Sequence, residues 1–94
     1  MRDVIDGKLY NTETATLLAS DRYWDGHNWD RHGRNQYLYR TKKGNYFLHT
    51  TSMWEGSFDN ILPLNKEEAK AAFERLPEQE MTWEDAFGEI PEEA

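Results

Sequence analysis

Cysteine is missing from all 94 residues, which excludes disulfide staples and thiolate zinc sites and fits a reducing compartment. No run of about 20 apolar residues occurs, so no membrane-spanning helix is expected. The opening MRDVIDGKLY lacks an apolar core of signal-peptide length, and a soluble, cytoplasmic protein is expected. Apolar residues are also scarce, at 37% of the chain. A chain of this size buries only about 60–65% of its unfolded surface, so its stability should be modest. Neither a phosphate-cradling glycine loop nor a G-x-S-x-G or H-E-x-x-H pattern is present. With no Ser or Cys nucleophile motif either, the chain is not expected to be an enzyme or to carry a cofactor.

What is present is an aromatic fraction of 14% and a segregated charge that totals −7. Residues 1–76 balance 11 acidic against 11 basic side chains, while residues 77–94 hold seven acids and no base. The span 31–43 does the reverse: Arg31, Arg34, Arg40, Lys42 and Lys43 stand there without an acid. The molecule is electrically polarised rather than uniformly acidic.

The clearest local signal is QYLYRTKKGNYFLHTT, residues 36–51. Its arms, 36–41 and 45–51, are rich in Tyr, Phe, Leu and Thr, and Gly44 supplies the left-handed residue a hairpin loop needs. Neither arm alternates cleanly, which predicts a sheet covered on both faces, one by helices and the other by a loop or partner. Residues 4–10 read as a short strand pair or a strand start, with Asp6-Gly7 as a turn. Asn11-Thr12-Glu13-Thr14 has the form of a helix start, and Ala15, Leu18 and Ala19 at i, i+3, i+4 predict a helix over 13–20. Residues 21–35 and 52–60 read as aromatic-rich loops. Residues 61–64 read as a short strand that Pro63 makes an edge or terminal one. Asn65, reinforced by Glu68, caps a helix over 66–76 that Pro77 ends. Thr82 opens a last short helix that folds Trp83 and Phe87 back onto the body. The expected fold is therefore α+β: a small antiparallel sheet of three to four strands with two helices on one face, in the order β–α–β–β–β–α. Residues 1–76 would form one domain, followed by an acidic C-terminal segment over 77–94.

Three stretches resemble a family of small, mostly uncharacterised bacterial proteins common on plasmids, phages and integrative elements. Residues 7–15, GKLYNTETA, are similar to that family's GK-x-Y-D-T-E-T-A opening. Residues 38–48, LYRTKKGNYFL, are similar to its LYRTKKGEYFL segment, and Ile61, Pro63-Leu64 and Glu67-Glu68-Ala69 to its I-x-PL-x-x-EEA ending. Asn11 departs from the usual Asp, and the Trp/His loop before the hairpin is longer. The resemblance implies a mobile-element setting and no catalytic residue.

Several clusters are candidates for function. Trp24-Asp25-Gly26-His27 is followed at a spacing of five by Trp29-Asp30-Arg31-His32. Asp25, His27, Asp30 and His32 have the chemistry of a Zn²⁺ or Mn²⁺ shell. Five residues turn a helix by about 500°, and an odd offset splits the units between strand faces. A structural loop with tryptophans turned inward is therefore preferred, and His49 is read as a partly buried, hydrogen-bonded side chain. Arg31, Arg34, Arg40, Lys42 and Lys43, interleaved with tyrosines, have the residue types of a nucleic-acid surface, although the net charge disfavours it. The leading expectation is a non-enzymatic interaction protein that binds a host or defence-system protein, in the manner of an anti-CRISPR inhibitor. Its contacts would be Trp24, Trp29, Trp54, Trp83, Glu84, Asp85 and Phe87. Nucleic-acid binding by the basic hairpin is the alternative, and a metal-dependent enzyme using the Asp/His loop with His49 is the third.

Overall fold

Over Lys42-Lys43-Gly44 the chain reverses as the sequence predicts. In a computed structural model, which describes residues 2–21, 35–51 and 60–91, strands β4 (Asn35–Arg40) and β5 (Tyr46–Thr51) pair antiparallel from Asn35↔Thr51 to Arg40↔Tyr46. The Gly44 N–H donates to the Thr41 carbonyl at 3.0 Å, and Gly44 takes φ 85°, a conformation that a Cβ would strain. The Thr41 hydroxyl accepts the Asn45 N–H at 3.0 Å and closes the turn.

Earlier, β1 (Arg2–Ile5) and β2 (Lys8–Asn11) form a two-stranded ribbon. Its turn sets Asp6 at φ 52° and Gly7 at φ 74°, two consecutive left-handed residues as a two-residue hairpin of primed type requires.

The helix expected over 13–20 is a strand instead, β3 (Thr16–Ser20). Its pairing with β4 steps from Leu17↔Tyr39 to Ala19↔Leu38, leaving Leu18 as the extra residue of a bulge. A bulge turns two neighbouring side chains to one side, and Leu18 and Ala19 are both fully buried in the same core. That pair, with Ala15 before it, imitates helical spacing. The apparent helix cap forms a turn: the Asn11 side-chain oxygen accepts the Glu13 N–H at 3.0 Å, and the Asn11 carbonyl accepts the Ala15 N–H at 3.1 Å, the competing use of Asn at such positions.

Strand β6 (Asn60–Leu64) pairs with β5, and α1 (Lys66–Arg75) follows directly. The Asn65 side chain accepts the Glu68 N–H at 2.8 Å while the Asn65 N–H donates to Glu68 Oε1 at 2.9 Å, so the first turn is satisfied from both directions. Beyond Pro77 the acidic segment rejoins the body. Strand β7 (Glu78–Gln79) pairs with β3 at Ala19↔Gln79, and α2 (Trp83–Phe87) starts where Thr82 Oγ1 accepts the Asp85 N–H at 3.3 Å.

Among the described residues the sheet order is β6-β5-β4-β3-β7, five antiparallel strands where three or four were expected. On one face Leu18, Leu38, Tyr46 and Leu48 meet Ala69, Ala72, Phe73 and Leu76 of the α1 region and Ala86 and Phe87 of α2. The opposite face is covered by the ribbon, where Tyr10 meets Phe47 edge-on at 5.5 Å and both are buried with Ile61. This two-sided cover explains why neither hairpin arm alternates. No helix among the described residues is long and apolar enough to cross a membrane.

Candidate functional site

On the helical side, chemistry begins with how α2 is held. Phe87 lies 5.5 Å from Tyr46, 5.5 Å from Phe73 and 4.9 Å from Trp83, ring centre to ring centre. It is 5% exposed, so this expected contact residue is core and presents nothing to a partner. Trp83 is half-buried, edge-on to Phe73 at 5.9 Å, with the Lys70 ammonium 5.9 Å above its ring. Glu84 and Asp85, between these anchors, are exposed.

Arg40, read as part of a basic surface, reaches α2 instead. Its Nη1 donates to the carbonyls of Asp85 and Ala86 at 2.6 Å each, placing a cation at the negative end of the helix. On α1, Arg75 donates to the Gln36 side-chain carbonyl on β4. Glu89 bonds Lys70 and lies 3.2 Å from Lys66. The hydrogen bond from Lys70 comes first, then that from Lys66, in holding the Glu89 carboxyl below its ordinary range. The same contact raises Lys70. Residues 65–91 carry eight acids against three bases, so this layer holds the excess negative charge of the described residues.

A second constellation lies between the two hairpin turns. The β1–β2 turn and the β4–β5 turn enclose an open cleft of about 370 Å³ lined by Lys8, Lys42 and Lys43, with Leu9 and Tyr10 beside them. No acidic side chain is among the described residues that line it. None of the three lysines has a carboxylate partner among the described residues. Lys42 and Lys43 were candidates from sequence. Lys8 was not, because only the docking of the ribbon brings it to residues more than thirty positions away. The one local hint was its place beside a Gly-containing turn, where lysines are solvent-facing.

The buried His49, 8% exposed, has the Tyr37 and Tyr39 rings 5.9 and 6.5 Å away. Next to the sheet, the Asp21 carboxylate accepts the Gln36 N–H at 2.8 Å. Trp24, Asp25, His27, Trp29, Asp30, Arg31, His32, Arg34 and Trp54 lie outside the described residues. Among the described residues no three His, Asp or Glu side chains gather as a metal shell would require. Compared with protein-family models, curated proteins and solved structures, the chain matches none.

Proposed function

We propose that this is a non-enzymatic binding module that sets its acidic helical face against a basic surface of a host or defence-system protein in the cytoplasm. The observation that carries the reading is the rigid presentation of Glu84 and Asp85. Both are exposed on a short helix that is capped by Thr82, clamped by Arg40 and pinned through Phe87. A backbone held in this way loses little conformational freedom on association. The half-buried Trp83 beside them is the type of side chain that anchors interfaces. The phage or mobile-element origin, and inhibition by binding in the anti-CRISPR manner, rest on the sequence resemblance described above.

Affinity capture from a host lysate tests the reading, with the wild-type protein beside E84K/D85K and the control K42E/K43E. The captured protein should be lost with E84K/D85K, retained with the control, and released as salt rises, because exposed charges are screened within about 8–10 Å at physiological ionic strength. Equal capture by E84K/D85K would remove the acidic face from the interface.

A further inference from the structure

The cleft between the two hairpin turns shares no residue with the acidic helical face and calls for its own account. Lys8 follows the tight Asp6-Gly7 turn, and Lys42 and Lys43 sit on the turn closed by Thr41 and Gly44. Both backbones are held by pairing into strands. Three lysines with no carboxylate partner among the described residues thus line one hollow, and an anion entering it would offset their like charge. Lysine binds phosphate as a point charge.

Size and lining narrow the class. About 370 Å³ falls in the range of small-ligand sites, about 300–1,000 Å³, and exceeds what a bare phosphate fills. Leu9, 56% exposed, gives the hollow an apolar wall on which a flat ring can rest. With Arg40 assigned to the helical side, the described residues outside the helical layer carry four bases against four acids, so the excess negative charge of the described residues lies on the helical side. Charge on the whole chain does not describe the charge at this cleft.

We propose that the cleft between the β1–β2 and β4–β5 turns binds a nucleotide, its phosphate held by Lys8, Lys42 and Lys43 and its base against Leu9. The nucleotide is either free or one unit of a single strand, and the chemistry is the same in both cases. The basic hairpin thus contributes Lys42 and Lys43 but not Arg40, and the ribbon supplies the third cation.

Two-dimensional amide NMR of the full chain, titrated separately with adenosine monophosphate, a twelve-residue oligothymidylate, adenosine and inorganic phosphate, tests this. Shifts concentrated at residues 7–10 and 41–45 with the monophosphate or the oligonucleotide support the site. A response to the oligonucleotide alone assigns the source as a strand, and a response to the monophosphate alone as a free nucleotide. Three cations on a single strand predict a slope of about −2 in log affinity against log salt. Lys8→Ala should weaken binding about tenfold, with thermal melting unchanged because Lys8 is exposed. Absence of shifts at the cleft with both nucleotide probes, equal affinity for inorganic phosphate and the monophosphate, or undiminished binding by Lys8→Ala overturns the proposal. Lys8→Ala should leave lysate capture through Glu84 and Asp85 intact, so the two readings fail separately.

Discussion

Replacing Phe87 with alanine removes a ring that touches Tyr46 of the sheet, Phe73 of α1 and Trp83 of its own helix. Because Phe87 is 5% exposed, the substitution loses nearly the full transfer energy of the side chain and leaves a cavity. Core Phe→Ala changes cost about 3–5 kcal/mol. Loss of the edge-on contact with Phe73 belongs within that figure, since aromatic pairs contribute about 0.5–1.5 kcal/mol beyond area alone. A domain of this size has about 5–15 kcal/mol in total, so one residue in the acidic segment controls a large share of the stability. Urea denaturation followed by circular dichroism should show the loss, and the melting temperature should fall by at least about 12 °C. Leu62→Ala is the matched control: it removes an apolar side chain that is 52% exposed and should change stability by less than about 0.5 kcal/mol. If Phe87→Ala behaves like the control, α2 is not part of the core and the rigid presentation of Glu84 and Asp85 fails with it.

Arg40→Met keeps the aliphatic stem but removes the Nη1 that donates to both the Asp85 and the Ala86 carbonyl. It should cost about 1–3 kcal/mol, and hydrogen exchange should quicken in α2 more than in α1. Asn65→Ala breaks the reciprocal cap of α1 and should lower urea stability by about 0.5–2 kcal/mol. Because Lys70 and Lys66 hold Glu89 below its ordinary carboxylate value, the pair's contribution is present above that ordinary value and is lost as pH falls through the depressed one. Lys70 is raised, so its share is present below the ordinary lysine range and lost as pH climbs through the raised value. Stability measured against pH should therefore fall less steeply on the acid side in Glu89→Gln than in the parent.

The parts of the fold that rest on local chemistry were legible from sequence. Gly44 and Asp6-Gly7 predicted both turns, Asn65 with Glu68 predicted the cap, and Pro63 placed β6 at an edge. What failed was the stretch from Asn11 to Ser20. A bulged strand that buries Leu18 and Ala19 together cannot be told by spacing from a short helix, and Asn11 caps a turn with the same side-chain bond it would use on a helix. Strand β7 carried no signal, since Glu-Gln has little strand preference; it pairs because β3 offers a free edge. At the candidate sites, Trp83 and Phe87 were visible as an i, i+4 pair, but only packing separates the half-buried ring from the buried one. Arg40 and Lys42 stand two residues apart yet do different work, one clamping α2 and the other facing the cleft.

The pairing of β7 with β3 also has a consequence in time. Strands β3, β4, β5 and β6 are complete once residue 64 has been synthesised, but the outer edge of β3 stays open until residues 78–79 arrive. Its neighbouring hydrophobic layer is likewise unfinished until Phe87 docks. During synthesis the chain thus passes through a stage with a bare strand edge beside Leu18, the type of surface through which chains pair with one another. The carboxylates of the last segment arrive with the residues that close that edge.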